Sequence, residues 1–105
     1  MTLLAVFTTL PNAESARELA QMLVARHLVA CAQLEAIESV YIWEGAVQHE
    51  PEYRLMLKTT ADRYPAVESA IREQHPYELP AIYALPTAQA FEPYENWVRE
   101  QCQGR

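Results

Sequence analysis

His75 opens the run His75-Pro76-Tyr77-Glu78-Leu79-Pro80, the densest group of chemically able side chains in this 105-residue chain. Imidazole is a common ligand for copper and zinc, and Pro76 holds the residue before it extended. His75 is therefore the candidate metal ligand. A second role is equally open to it, capping carbonyls at the end of a preceding helix. Glu78 supplies a carboxylate that accepts a proton, joins a metal site, or neutralises a cation such as Lys58. Cys31 serves either as a ligand or as a small core residue. No three or four ligands converge at a metal-binding spacing within one chain. A site would have to combine copies from different subunits, and Cys31, Trp43, Lys58, Tyr77 and Glu78 are the other candidates for such a cleft. There is no nucleophile motif and no phosphate loop, so no catalytic residue is assigned. The enzyme alternative is acid–base chemistry by His75 and Glu78 in a cleft between subunits.

The composition narrows the functions these residues can serve. Half the residues are apolar and 21% are charged, as in an ordinary globular chain, and 1–105 reads as a single domain. The net charge of −6, from 14 acidic and 8 basic residues, repels a phosphate backbone. An RNA-recognition module shares the strand order predicted below, but the basic, Gly-Phe-rich strand signature of such modules is absent. No apolar run reaches the roughly 20 residues of a membrane-spanning helix. The opening residues 2–9 read as a strand, not a leader peptide, and the expected location is the cytoplasm. The two cysteines, Cys31 and Cys102, form no CxxC cluster and are expected to be free thiols.

The elements that must position these residues follow from periodicity. Residues 2–9 form a strand that stops before Pro11, and Asn12 caps a helix over 13–28 with Ala16, Leu19, Ala20, Leu23, Val24 and His27 on one face. Arg26 and His27 are expected in its last turn. From 30 to 43 the pattern alternates, Glu44-Gly45-Ala46 turns, and a second long strand returns over 47–60. Pro51 predicts a bulge or an edge position. Asp62 or Thr60 caps a second helix over 63–74, with Tyr64, Val67, Ala70 and Ile71 inward, and Pro76 ends it. Residues 81–85 form a short strand. Phe91, Tyr94, Trp97, Val98 and Gln101 outline a last amphipathic helix over 91–101. The order predicts an α+β chain: a ferredoxin-like βαββαβ antiparallel sheet with an extra C-terminal helix.

Two helices cover only one face of such a sheet, yet the hairpin carries large apolar groups on both, Tyr41 and Trp43 against Val40 and Ile42. Leaving such surface in water predicts self-association.

Six segments stand in order along the chain: Thr9-x-Pro11, Ala30-Cys31-Ala32-Gln33-Leu34, Ser39-x-Tyr41-x-Trp43-Glu44-Gly45, Glu52-x-x-Leu55-x-x-Lys58-Thr59, His75-Pro76-Tyr77-Glu78-x-Pro80 and Tyr94-x-x-Trp97. Together they resemble the pattern of the CutA family. The resemblance implies a homotrimer with long hairpins pairing between subunits, the architecture of PII signalling proteins. It further implies tolerance of divalent metals, with Cu²⁺ or another divalent cation bound, no organic cofactor and no catalysis. Some members carry Cys at the position of Thr8 and a second His at that of Gln74. Of those three ligand positions only His75 remains here, which implies weak copper binding.

Overall fold

The computed structural model describes residues 2–103. Strand β1 (Leu3–Leu10) alternates between a fully buried side, with Val6 and Thr8 at 0% exposure, and a less buried one. Helix α1 (Ala13–Ala25) starts at Asn12, whose Oδ1 accepts the Ser15 N–H at 2.8 Å. It stops at Ala25, short of the end that periodicity and charge predict. Arg26 and His27 lie past its last turn, because His27 takes the left-handed conformation (φ 60°) and closes the helix. The His27 N–H reaches Val24 O and the Leu28 N–H reaches Leu23 O, each at 3.0 Å, the pairing of a Schellman cap. His27 is exposed, and its Nδ1 lies 3.1 Å from the Gln101 carbonyl oxygen.

Strands β2 (Cys31–Trp43) and β3 (Ala46–Thr60) form the long hairpin. The two-residue turn places Glu44 at φ 50° and Gly45 at φ 81°, a twist that matches that of the flanking strands. Pairing runs without a skipped residue from Cys31↔Lys58 to Trp43↔Ala46, so Pro51 introduces no bulge. Pro51 instead occupies an edge: β1 pairs β3 only from Tyr53 to Thr60, and residues 46–52 have β2 as their sole neighbour.

A 3₁₀ turn, Ala61–Arg63, precedes α2 (Tyr64–Gln74) and moves its start past both expected caps. Thr60 Oγ1 donates to Asp62 Oδ1 at 2.6 Å, so each satisfies the other and neither caps α2. Strand β4 (Ile82–Pro86) pairs with β1, and α3 (Glu92–Gln101) closes the described chain.

The sheet is antiparallel in the order β2-β3-β1-β4. Its inner face packs Leu4, Val6, Leu10, Leu55 and Leu57 against Leu19, Leu23, Val67 and Ile71 of the two main helices. On the opposite face α3 covers only one end, where Val98 and Cys102 meet Leu3 and Ala30. The predicted aromatic face of α3 is not buried: Phe91 is 75% and Trp97 42% exposed, and only Val98 is enclosed. The rest of that outer face stays open, with Phe7, Met56, Tyr83, Leu85, Tyr41 and Trp43 along it. Cys31 and Cys102 are free thiols.

Candidate functional site

Pro76 forces His75 out of helical geometry, and the residue leaves α2 extended (φ −73°, ψ 133°). That exit turns the ring towards the end of β1. Nε2 lies 2.8 Å from the Thr9 carbonyl oxygen, and Nδ1 accepts the Tyr77 N–H at 3.2 Å. A neutral imidazole has one donor and one acceptor, and here the proton sits on Nε2 with both nitrogens engaged. The carbonyl His75 caps thus belongs to a strand, not to the end of α2.

Tyr77 stands beside the imidazole, ring centroids 5.0 Å apart, and its hydroxyl donates to Glu52 Oε2 at 2.6 Å. Glu52 is 7% exposed and lies at the base of the free hairpin. Two residues along β3, Glu50 accepts the Tyr41 hydroxyl, also at 2.6 Å. Burial first, then the Glu52 hydrogen bond and charge, push the Tyr77 phenol far above its ordinary value. The Tyr41 phenol is raised chiefly by its bond to Glu50. Burial lowers the His75 pKa below 6.5, partly opposed by the Thr9 carbonyl and the Glu52 charge.

The remaining candidates do not join this cluster. Glu78 is exposed and forms no hydrogen bond or ion pair among the described residues; Lys58 donates instead to Gln33 Oε1 at 2.9 Å. Cys31 sits opposite Lys58 at one end of the hairpin, and Trp43 closes its other end, roughly 40 Å away at ~3.3 Å per residue. His49 is paired with Glu38 at 2.9 Å and, like His27, faces solvent. Sequence reasoning missed the Thr9 carbonyl and the carboxylate of Glu52. Glu52 left one trace, as part of the resemblance on the returning strand; a backbone carbonyl leaves none.

The residues of one chain do not fit a tight metal site. Among the described residues no three His, Cys, Asp or Glu side chains cluster to hold an ion, and the one lone pair of His75 is already used. The ring must give up the Tyr77 N–H before Nδ1 can bind anything else.

One pH effect follows. Between the lowered folded pKa and about 6.5 the unfolded chain binds a proton at His75 that the folded chain refuses, so stability falls as pH drops through that range. Urea unfolding across pH 5–7 checks it: the His75→Gln variant is expected to lose part of the slope below about pH 6.5. Equal slopes would remove His75 from the acid response.

The fold and this site define an α+β domain with ferredoxin-like strand order, an uncovered sheet face and a projecting hairpin. A family profile described as CutA1 divalent ion tolerance protein matches residues 4–101. The chain is 36% identical over 95 residues to the divalent-cation tolerance protein CutA of Thermotoga maritima, covering 90% of this chain and 94% of that one. It is 39% identical over 97 residues to human protein CutA, covering 91% of this chain but about half, 54%, of the human one. The solved divalent cation tolerance protein (Cut A1) of Thermus thermophilus superimposes with a TM-score of 0.91 at 36% identity, over 94% of this chain and 97% of that one. CutA from Synechococcus elongatus gives 0.94 at 32%, over 97% and 91%. The chain belongs to the CutA1 divalent ion tolerance family. No helix among the described residues is long and apolar enough to cross a membrane.

Proposed function

We propose that the chain works as a homotrimer in the cell's response to divalent cations, in the cytoplasm and with the architecture of PII signalling proteins. The observation that carries this reading is the open sheet face. Tyr83 and Leu85 are 48% and 53% exposed, and Phe7 stacks on Tyr83 at 5.3 Å. Met56 lies beside them and Tyr41 and Trp43 lie farther along the same face of the sheet, beyond the Glu35–Arg54 pair, and exposed apolar groups grouped in this way favour a partner surface. Burial between copies removes that area, and threefold closure lets each hairpin reach a neighbour. Light scattering at micromolar concentration tests it. Three times 12.0 kDa is the expected mass; a stable 12.0 kDa particle would overturn the assembly.

Cation binding in this reading is weak and depends on His75. Copper or another divalent cation competes with the Tyr77 N–H for Nδ1, and Thr8 and Gln74 are poor ligands beside it. A second ligand then comes from the same cleft or from a neighbouring copy. Calorimetry with Cu²⁺ on the native protein and on His75→Ala is the test. The expected result is weak binding that the substitution abolishes and that fades below about pH 6, as the ring protonates. Equal affinity in both proteins would take His75 out of the site, and nanomolar affinity would mean a fuller ligand set. Catalysis forms no part of this reading.

A further inference from the structure

We propose that the groove between α1 and β2 takes an extended peptide segment of another protein, added as a further strand along the free edge of β2. The segment carries apolar residues at alternate positions and one acidic residue that meets Arg17. The groove has a volume of about 400 Å³. Val24 and Leu34 form its apolar walls, 40% and 39% exposed, and the small side chains of Ala20 and Ala32 leave the space between them open. Arg17 and Gln21 are its polar members. Ala32 and Leu34 pair with Leu57 and Leu55, on the helix-covered side of the sheet. The assembly proposed above uses the opposite face, so this inference does not rest on it.

The backbone says what form the occupant takes. β2 is the outermost strand, with β3 as its only strand neighbour among the described residues. Proteins ordinarily blunt such an edge with lysine, proline or a bulge. β2 contains neither residue, and its pairing with β3 skips no position from Cys31 to Trp43. Its outward N–H and C=O groups are therefore open to one more strand, and the groove runs beside them. The dimensions agree. From Arg17 to Val24 the groove follows α1 for about 10 Å at ~1.5 Å per residue. Side chains on one face of a strand stand about 7 Å apart, so two of them enter the groove together. A helical partner would fill the groove and leave the edge of β2 unpaired.

The charges narrow the sequence of the segment. The ion pairs among the described residues are Glu38–His49 and Glu35–Arg54, so Arg17 is in neither, and no acid lines the groove. A carboxylate on the incoming segment supplies that partner. The net charge of −6 disfavours a strongly acidic one. One acid in an otherwise neutral segment meets both conditions.

Fluorescence polarisation on the native protein tests the contact, with a labelled synthetic peptide of alternating valine and threonine that ends in glutamate. Saturable binding is expected, micromolar or weaker because the surface is small. Arg17→Gln is expected to weaken it about two- to fivefold, and Val24→Asp by about tenfold or more. Both positions are solvent-facing in the single chain, and circular dichroism with light scattering checks that each variant keeps the native fold and mass. Two further peptides carry N-methyl groups on the odd or on the even backbone nitrogens. Only one edge of an added strand faces β2, so one of them is expected to lose binding and the other to keep it. No saturable binding, or native affinity in Val24→Asp, would overturn the inference. Equal binding of the two methylated peptides would also overturn it, and would make the groove a site for apolar ligands without strand addition. If Val24→Asp changes the native mass, the groove belongs to a contact between copies and the inference falls.

Discussion

Tyr83→Asp is expected to leave a folded chain that no longer assembles, with a mass of 12.0 kDa where the proposed trimer would give three times that value. In the single chain the ring is half exposed and lies on the open face of β4, stacked on Phe7 at an interplanar angle of 23°. Its loss therefore removes little from the fold of one copy. Between copies it removes much more. An aromatic side chain buries about 150–250 Å², and covering the exposed half is worth roughly 2–3 kcal/mol at about 25 cal/mol per Å². A carboxylate confined at the same place costs several kcal/mol more unless it is paired. Together they weaken association by about three orders of magnitude or more at ~1.4 kcal/mol per decade. Light scattering and far-UV circular dichroism read the two parts separately. A variant that keeps native mass would show that the open face is not the interface.

The second large effect falls on the core. Leu57 is 0% exposed on β3, between Val6 of β1 and Ala32 of β2, beneath the two main helices. Leu57→Ala is expected to cost about 3–4 kcal/mol, because neighbours held by strands on both sides collapse little into the cavity. That is a large share of the roughly 5–15 kcal/mol that holds a domain of this kind together. Leu79→Ala, at a side chain 71% exposed, is the control and is expected to cost within about 0.5 kcal/mol. Urea midpoints measured at one protein concentration decide it, since assembly makes apparent stability depend on concentration. A shift below about 1 kcal/mol for Leu57→Ala would contradict the packing described.

Most of the elements were determined by the sequence itself, because their signals are local. Alternation in β2 and β3, the three-and-four spacing of Ala16, Leu19, Ala20 and Leu23, the Asn12 cap and the Pro76 stop each act within a few residues of where they stand. The same holds for the Glu44-Gly45 turn, and hence for the register of the whole hairpin. Where local signals competed, the structure chose between them. His27 closed α1 through a left-handed residue that a charge pattern does not reveal, and the Thr60–Asp62 bond turned two potential caps into the start of a 3₁₀ turn.

The candidate site was legible only as residue types. His75 stands out by its imidazole, and Pro76 marks its extended exit from α2. Its ring, however, is defined by a carbonyl 66 positions away and by the Tyr77 N–H. Tyr77 likewise takes its partner from Glu52, 25 positions away, while the adjacent Glu78 stays in solvent. Such pairings depend on how α2 crosses the end of β1, which is set by the burial of Val67, Ala70 and Ile71 against the sheet. Sequence periodicity fixes which face of each element is apolar. Only the packing of those faces decides which polar groups at their ends come within hydrogen-bond reach of each other, and so which lone pairs of His75 remain free.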